Sequence, residues 1–296
     1  MRKLSYEGRK SMYGRLFILI WGIGVLLFFV TPFVRTIFYS LNNLNFRTLD
    51  TTPAGFSFYV RMFTKDTGFI QNLGTVLMNL LYEVPIIVMF SLFIAVVLNR
   101  EFRGRLFFRA VFFLPVIVMS GVVFTLLSKD TQSSELMSQA GNSSTMFTNL
   151  TSLNDLLSAF GFGDKIIGFI SNVVSRVIDT AWKSGVQILL CLAGLQSVSP
   201  ALYEAARMEG ATKWEEFWKI TFPMLTPVLL VSTVYTIIDS FTSSSNALIT
   251  YINTVSFQNF EYSYGCAMSL TYCVIMLVIV GLTAALLGRS VVYTEK

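Results

Sequence analysis

Two carboxylates, Glu83 and Asp239, lie inside long apolar segments of the chain. A charged side chain at the centre of a membrane helix costs about 2.5 to 3.5 kcal/mol on insertion scales, so such residues tend to face a cavity or a polar partner. Tyr235 lies one helical turn before Asp239, and Ser243 and Asn246 belong to the hydroxyl-rich stretch that follows it. Carboxylate, hydroxyl and amide groups hydrogen bond to hydroxylated solutes, and a tyrosine ring can stack on the face of a sugar. These five residues are therefore candidates for lining a solute pathway; the alternative is that they make polar contacts between packed helices.

The composition excludes most catalytic and metal chemistry. The 296 residues include no histidine, which excludes Ser-His-Asp and Cys-His nucleophile pairs, imidazole metal ligands and histidine proton relays. Cys191, Cys266 and Cys273 lie in apolar runs and are interpreted as small buried hydrophobic residues rather than disulfide partners or metal ligands. The pattern G-x-x-x-x-G-K-[ST] of a phosphate-binding loop is absent. We therefore predict no catalytic residue, metal site or cofactor in this chain.

The segment 197–222 is predicted to form a helix, a turn and a second helix. Ser199 is a favourable N-cap, and Pro200 occupies the first helical position. Gly210 is suited to the position after a helix where the backbone adopts the left-handed conformation. Thr212 and Glu215 have the spacing of a capping box, so the second helix begins there. A well-capped helix in such a segment either docks a partner or lies on the lipid headgroups.

The composition predicts an all-α, polytopic membrane protein. Apolar residues make up 54% of the chain and charged residues only 13%, against about 25% charged residues in ordinary soluble domains. A helical span needs about 20 mostly apolar residues. Six segments qualify as spans: 16–41, 72–98, 106–127, 175–196, 220–244 and 264–288.

The first and fourth spans each begin in a segment that carries charged residues. The first follows a basic N-terminal segment and is interpreted as a retained signal anchor rather than a cleaved signal peptide, because its apolar run is too long and no small-residue cleavage site follows. The apolar run at 184–196 is too short to cross the bilayer, so the fourth span must extend upstream to about 175. It then includes Arg176, Asp179 and Lys183, which share one helix face.

The distribution of basic residues predicts the orientation of the spans. Arginine and lysine concentrate in the N-terminal arm, in the segments after spans two and four, and in the C-terminal tail. By the positive-inside rule, both termini are cytoplasmic, the segment 197–222 is cytoplasmic, and the long segment 128–172 is extracellular. The net charge of +5 is attributed to these cytoplasmic segments rather than to nucleic-acid binding.

The segment 197–222 also carries a family resemblance. Its residues Glu204, Ala205, Ala206, Gly210, Ile220 and Pro223 match in type and spacing the E-A-A-x-x-x-G and I-x-L-P signature of the inner-membrane permease subunits of bacterial ABC importers. Phe222 stands where that pattern has leucine. The segments 103–105 and 108–115, with Trp182 and 192–198, also resemble the family. The likeness is to its carbohydrate, maltose-type branch, although residues 243–248 lack the Gly-Gly-Pro turn often found there.

The resemblance implies a type I importer permease fold in the bacterial inner membrane. It implies that the helix around Glu204 sits in a cleft of a separate ATPase subunit, that Ala205 and Ala206 permit close approach, and that Gly210 provides the turn. ATP and Mg²⁺ would then belong to the partner and not to this chain. The implied partners are a second, homologous permease, two ATPase subunits, an extracellular solute-binding protein, membrane lipid and an oligosaccharide substrate.

The sequence also allows hypotheses from other functional classes. A secondary transporter driven by an ion gradient would also have six spans and intramembrane carboxylates, but it would not need a capped helix pair with this spacing. A purely structural membrane subunit would not need carboxylates and a serine-rich stretch at membrane depth. A membrane enzyme is disfavoured by the absence of histidine.

Overall fold

Helices account for nearly all of the described residues. The computed structural model describes residues 18–19, 21–44, 51–100, 104, 107, 110–111, 164–243 and 246–289. The helices are α1 (Trp21–Leu41), α2 (Ser57–Thr64), α3 (Thr67–Asn99), α4 (Asp164–Lys183), α5 (Gly185–Ser197), α6 (Pro200–Met208), α7 (Lys213–Glu216), α8 (Phe222–Thr242), α9 (Ala247–Asn253) and α10 (Tyr262–Gly288). Two short antiparallel strands, β1 (Asn42–Leu44) and β2 (Thr51–Pro53), pair with Asn42 opposite Pro53.

Among the described residues, three π-helical turns interrupt or extend the α-helices. They lie at Leu26–Val30 within α1, at Phe217–Thr221 between α7 and α8, and at Thr254–Gln258 after α9. The second of these makes the connection from α7 into α8 continuous, and α8 then carries Pro223 at its start and Pro227 in its interior. Pro85 is likewise accommodated inside α3. A π-turn adds a residue to the helical ladder, and π-helices occur mostly as such single turns inside α-helices.

The region of the predicted fourth span contains two helices instead of one. Helix α4 starts at Asp164, within the segment that the sequence analysis assigned to the outer loop, and it ends at Lys183. Ser184 then adopts φ −87° and ψ 1°, outside the helical region, and α5 starts at Gly185. Helix α4 mixes charged and apolar residues, whereas α5 is almost entirely apolar. The change in composition at Ser184 therefore coincides with the break in the backbone.

The chain divides into two compact units. Unit 1 consists of the described parts of Met1–Leu73 together with Thr250–Ile275, and unit 2 of those in Gly74–Ile249 and Met276–Lys296. In unit 1, Met62 and Phe69 are fully buried. The core of unit 2 is an aliphatic cluster from α3, α5 and α8: Leu92, Ala95, Leu98, Ile188, Cys191, Leu192, Leu195 and Leu225.

Close backbone approach shapes this core. A Cβ placed on Gly194 of α5 would lie 2.9 Å from side-chain carbons of both Leu225 and Val228 of α8. Helix α5 and helix α8 can therefore pack at this short distance only because residue 194 has no side chain. Cys191 is fully buried, Cys266 and Cys273 are half-buried, and all three thiols are free.

Four helical stretches in the described part of the chain are long and apolar enough to cross a membrane. They are Trp21–Leu41, Thr67–Asn99, Lys213–Gln258 and Tyr262–Gly288. The pair α5 and α6, bent by 62°, meets the same criterion only when taken together. Lys213–Gln258, at 46 residues, is about twice as long as a ~30 Å hydrocarbon core requires, so the apolar helix α8 is its membrane-spanning part. Most of the predicted third span, 106–127, and most of the segment 128–172 lie outside the described residues.

Candidate functional site

Helix α6 displays the motif residues on its surface. Ser199 is at the N-cap with extended ψ of 128°, as predicted, although its hydroxyl makes no capping hydrogen bond, and Pro200 opens the helix. None of the residues of α6 is buried. Glu204 and Ala205 are exposed and Ala206 is half-buried. This helix therefore presents an acidic group beside small side chains, which lets another surface approach its backbone closely.

Gly210 ends α6 in the left-handed conformation that the sequence predicted. Its φ is +81°. The Gly210 amide donates to the Arg207 carbonyl at 3.0 Å, and the Ala211 amide donates to the Ala206 carbonyl at 2.9 Å. These are the two hydrogen bonds of a Schellman motif. A Cβ on Gly210 would meet no atom within 4 Å, so glycine is required here by backbone conformation and not by space.

The predicted capping box starts α7. The Glu215 amide donates to the Thr212 hydroxyl, and the Thr212 amide donates to the Glu215 carboxylate at 3.0 Å. Lys219 also donates to this carboxylate, at 3.1 Å. Hydrogen bonds from the Thr212 amide, the Lys219 ammonium and the Thr212 hydroxyl lower the pKa of Glu215 to about 2. The box thus remains intact far below neutral pH.

Two side-chain contacts hold α6 against the segment that leads into α8. Arg207 donates to the carboxylate of the buried Glu216 at 2.9 Å, and Lys213 donates to the same carboxylate at 3.1 Å. Hydrogen bonds from Lys213 and Arg207 lower the pKa of Glu216. The hydroxyls of Tyr203 and the buried Thr221 are 3.0 Å apart.

No pattern in the sequence indicates these contacts. Tyr203 and Thr221 are 18 positions apart, beyond any helical spacing. Glu216 is one of two adjacent glutamates, and the capping-box pattern selects only the first. The remaining signature residues, Ile220 and Pro223, are half-buried where this segment enters α8.

A second polar site lies among α3, α4 and α8 of unit 2. Lys183, the last residue of α4, donates to the Glu83 carboxylate of α3 and forms an ion pair with it. Asp239 of α8 interacts electrostatically with both of these residues, and Tyr235 interacts with Asp239. Asp239 and Tyr235 are exposed, and Glu83 is half-buried. The structure therefore pairs Glu83 with Lys183, a residue of the charged helix face of α4, and Asp239 lies within electrostatic range of this pair.

The last two predicted pathway residues lie at the end of α8. Ser243 is the half-buried residue after α8, and Asn246 is buried. The Asn246 carboxamide oxygen accepts from the Leu248 amide at 3.0 Å, and its nitrogen donates to the Ser240 carbonyl at 3.1 Å. Asn246 thus links the end of α8 to the start of α9 and positions these two helices relative to each other.

A buried polar contact also joins α5 and α8, about one helical turn from Lys183 and Asp239. The side chains of Gln187 and Thr236 are hydrogen bonded at 3.1 Å, and both are almost completely buried. The Thr236 hydroxyl also donates to the Ser232 carbonyl at 2.8 Å. A hydrogen bond between two buried side chains fixes the relative position of the two helices. No pattern in the sequence marked this pair.

A third polar cluster lies in unit 1. Asp66 accepts hydrogen bonds from Tyr264 at 2.6 Å, from Tyr251 at 2.8 Å and from the Phe69 amide at 3.0 Å. Burial acts to raise the pKa of Asp66, but these hydrogen bonds outweigh it and lower that pKa. Arg61 pairs with Glu261 at 2.9 Å and lies 4.4 Å above the Tyr264 ring. These groups line a cavity of about 310 Å³, and because they satisfy one another we interpret the cluster as structural.

The chain combines apolar helices with an exposed E-A-A helix and with a group of polar residues among the apolar helices. These features are typical of a transporter permease. The chain belongs to the family of binding-protein-dependent transport system inner membrane components, whose sequence model matches residues 52–292. It is therefore a multi-pass, membrane-embedded permease of a binding-protein-dependent importer. The alternative of a secondary transporter driven by an ion gradient is wrong.

Individual relatives agree with this assignment. The chain is 29% identical over 314 residues to the probable ABC transporter permease protein YesP of Bacillus subtilis, covering 99% of this chain and 94% of that protein. It is 30% identical to the trehalose/maltose transport system permease protein MalF of Thermococcus litoralis, covering 80% of this chain and 76% of MalF. It shares its fold with a chain of a bacterial alginate ABC transporter, solved with a periplasmic protein bound to an alginate pentasaccharide, at a TM-score of 0.62 and 21% identity, with 95% and 96% of the two chains covered.

Proposed function

We propose that this chain is one of two permease subunits of an ATP-driven importer for an oligosaccharide in the bacterial inner membrane. Family membership supports the importer class. The substrate class is supported by the names of the relatives, of which one is a trehalose/maltose permease and another is part of an alginate transporter. The proposal includes six membrane spans, both termini in the cytoplasm, and the segment 128–172 on the extracellular side.

Helix α6 is proposed to dock into a separate ATPase subunit. The observation that carries this proposal is that α6 has no buried residue, although Arg207 and Tyr203 hold it in place through Glu216 and Thr221. A rigidly held helix can transmit a displacement, and its exposed Glu204 and Ala205 are free to meet a partner. Closure of an ATPase dimer would then move α6 and, through the continuous helix from α7 to α8, the membrane-spanning helices.

The energy source is proposed to lie outside this chain. The sequence contains no phosphate-binding loop, so ATP and Mg²⁺ would be bound by two partner ATPase subunits and not by this protein. A second, homologous permease would complete the pathway, and an extracellular solute-binding protein would deliver the substrate.

The substrate pathway is proposed to pass the polar group formed by Asp239, Tyr235 and Glu83. Asp239 and Tyr235 are exposed on α8, where carboxylate and phenol groups can hydrogen bond to sugar hydroxyls. Ser243 would extend this lining by one helical turn, and Asn246 would hold the end of the lining helix.

Copurification tests the proposed assembly. The tagged chain, extracted from its native membrane in a mild detergent, is expected to bring with it an ATPase and a second permease, identified by mass spectrometry. Glu204→Lys should lose the ATPase but keep the second permease, because it reverses the charge on the docking face. Glu209→Lys, the same change just beyond α6, should keep both. Recovery of the wild-type chain alone, under conditions that keep another ABC importer assembled, would overturn the proposal.

A further inference from the structure

An aromatic stripe lies on the segment that joins α7 to α8. Trp214 and Trp218 are 71% and 44% exposed. Their ring centroids are 5.6 Å apart, and the Trp218 ring lies 5.2 Å from that of Phe222, the first residue of α8. The three residues follow one another at intervals of four, so they lie on the same side of the helical segment. Large aromatic side chains exposed together in this way mark a surface that another component covers.

The opposite side of this segment is covered by the protein itself. Glu216 and Thr221 are buried and hold Arg207 and Tyr203 of α6. Glu216 is two positions from each tryptophan, which places it about 160° away around a helix of 3.6 residues per turn. A subunit that docks on α6 would therefore lie on the side of the segment that the tryptophans do not face.

The distance of the stripe from α8 matches the edge of a membrane. Helix α8 has 21 residues, which span about 31 Å, close to the ~30 Å of a hydrocarbon core. Along the continuous helix, Trp218 is four residues before α8 and lies about 6 Å outside this core, and Trp214 lies about 12 Å outside it. The headgroup layer is about 5 to 7 Å thick on each side of the core. It therefore reaches Trp218 and ends before Trp214.

The chemistry of the stripe fits this layer. Tryptophan combines an apolar ring with an N–H donor, and it is enriched where membrane meets water. Both indole groups are exposed, so their donors can reach the ester and phosphate oxygens of lipid headgroups. The neighbouring Lys213 pairs with Glu216. Lys219 pairs with Glu215, so these lysines do not form an unpaired basic patch, and contact with lipid would depend on the aromatic rings and not on anionic lipid.

We propose that Trp218, with Trp214 packed against it, binds the phospholipid headgroup layer and anchors the start of α8 at the membrane surface. This inference deepens the proposed function by naming lipid as the ligand of the segment between the docking helix and the membrane-spanning helix. It rests on that function for the movement of α6. Because α6 is tied to a segment held at a fixed depth, a displacement of α6 would turn α8 about its anchored end and would not slide α8 along the membrane normal.

Photocrosslinking in living cells tests what covers the stripe. The amino acid p-benzoylphenylalanine, whose aromatic ketone bonds to nearby C–H groups under ultraviolet light, replaces Trp218, Trp214 or Ala205 of the full chain in cells grown on radioactive phosphate. We expect position 218 to give an adduct with labelled phospholipid and none with protein. Position 214 should give several-fold less lipid adduct. Position 205, on the exposed side of α6, should give an adduct with an ATPase, identified by mass spectrometry.

The outcomes separate this inference from the proposed function. A protein adduct at position 218, or the absence of lipid there, would overturn the lipid contact, because the stripe would then face a subunit or water. Lipid at position 218 without an ATPase adduct at position 205 would leave the lipid contact standing and would count against docking of α6.

The anchoring role is measured by coupling in the assembled transporter. Trp218→Tyr keeps an aromatic ring with a polar end and should couple like wild type. Trp218→Leu keeps apolar bulk but loses the ring and the donor, so it should lower the amount of substrate imported per ATP hydrolysed several-fold. Copurification of the ATPase with Trp218→Leu should be unchanged, because α6 is intact. Wild-type coupling in Trp218→Leu would overturn the anchoring role.

Discussion

At the scale of single residues, Gly210 carries the clearest conformational requirement. Its φ of +81° lies in the left-handed region, which costs a residue with a side chain about 1 kcal/mol or more and which asparagine tolerates better than most. The Schellman hydrogen bonds at this position set the angle between α6 and α7. This turn sets the direction of α6, which carries Glu204 and the two alanines that follow it.

Replacement of Gly210 by proline is expected to uncouple ATP hydrolysis from transport. Proline fixes φ near −65° and removes the amide that donates to Arg207, so the turn cannot form. Membrane insertion should be unaffected, because the change lies outside the apolar helices. The measurements are substrate-stimulated ATPase activity and membrane fractionation. Gly210→Asn is the control and should retain most of the coupling; wild-type coupling in Gly210→Pro would remove the role of this turn.

The capping carboxylate Glu215 gives a prediction about pH. Because its pKa is lowered to about 2 by the Thr212 amide and Lys219, its contribution to stability is fully present above its unfolded value of about 4.3 and is lost as pH falls through about 2. Between pH 5 and 8 the contribution is constant. The midpoint of thermal unfolding should therefore differ between wild type and Glu215→Gln by the same amount at pH 5 and pH 8. A difference that grows across this range would show that Glu215 titrates there.

At the scale of secondary structure elements, the contact between α5 and α8 joins the aliphatic core of unit 2 to the segment that carries α6 and α7. Gly194 allows α8 to approach through Leu225 and Val228, while Gln187 and Thr236 add a buried hydrogen bond at the other end of the contact. Helix α8 is continuous with α7 through a π-turn. In the proposed mechanism, a displacement of α6 would therefore reach a packed pair of helices.

A valine at position 194 is expected to destabilise this helix pair by about 1 to 3 kcal/mol. Its side chain would enter space that Leu225 and Val228 occupy, forcing α5 and α8 apart. The measurement is thermal unfolding of the detergent-solubilised protein, together with recovery of the monodisperse species. Ala193→Val places the same side chain on the neighbouring exposed position and should be nearly neutral. Equal stability of the two variants would contradict the close-packing interpretation.

At the scale of the whole molecule, the chain combines apolar helices that expose most of their surface with a few polar clusters. Phe28 and Leu81 are each more than 70% exposed, which is expected where lipid or a second permease covers the helix. The exposed apolar surface, and not the buried core, is what makes this protein dependent on a membrane.

The proposed topology predicts the outcome of reporter fusions. A green fluorescent protein joined after Lys296 should fluoresce, and an alkaline phosphatase joined there should be inactive, because the C-terminus is proposed to be cytoplasmic. Phosphatase inserted within residues 128–163 should be active, because that segment is proposed to be extracellular. An inactive phosphatase in the segment, with normal amounts of fusion protein by immunoblot, would contradict the six-span topology.

The features that could be predicted from the sequence are those that depend on neighbouring residues. Membrane location follows from composition, because so few charges cannot cover a soluble surface. The E-A-A helix, the Gly210 stop and the Thr212–Glu215 box follow from short-range capping rules and are confirmed, and the importer family follows from the spacing of the same motif. Four features were decided only by tertiary packing. They are the break at Ser184, the burial of Glu216, the contact between Gln187 and Thr236, and the pairing of Lys183 with Glu83. Each of these joins residues that are distant in sequence or depends on how two helices meet, and no periodicity along one chain specifies which side chains face each other across a helix interface.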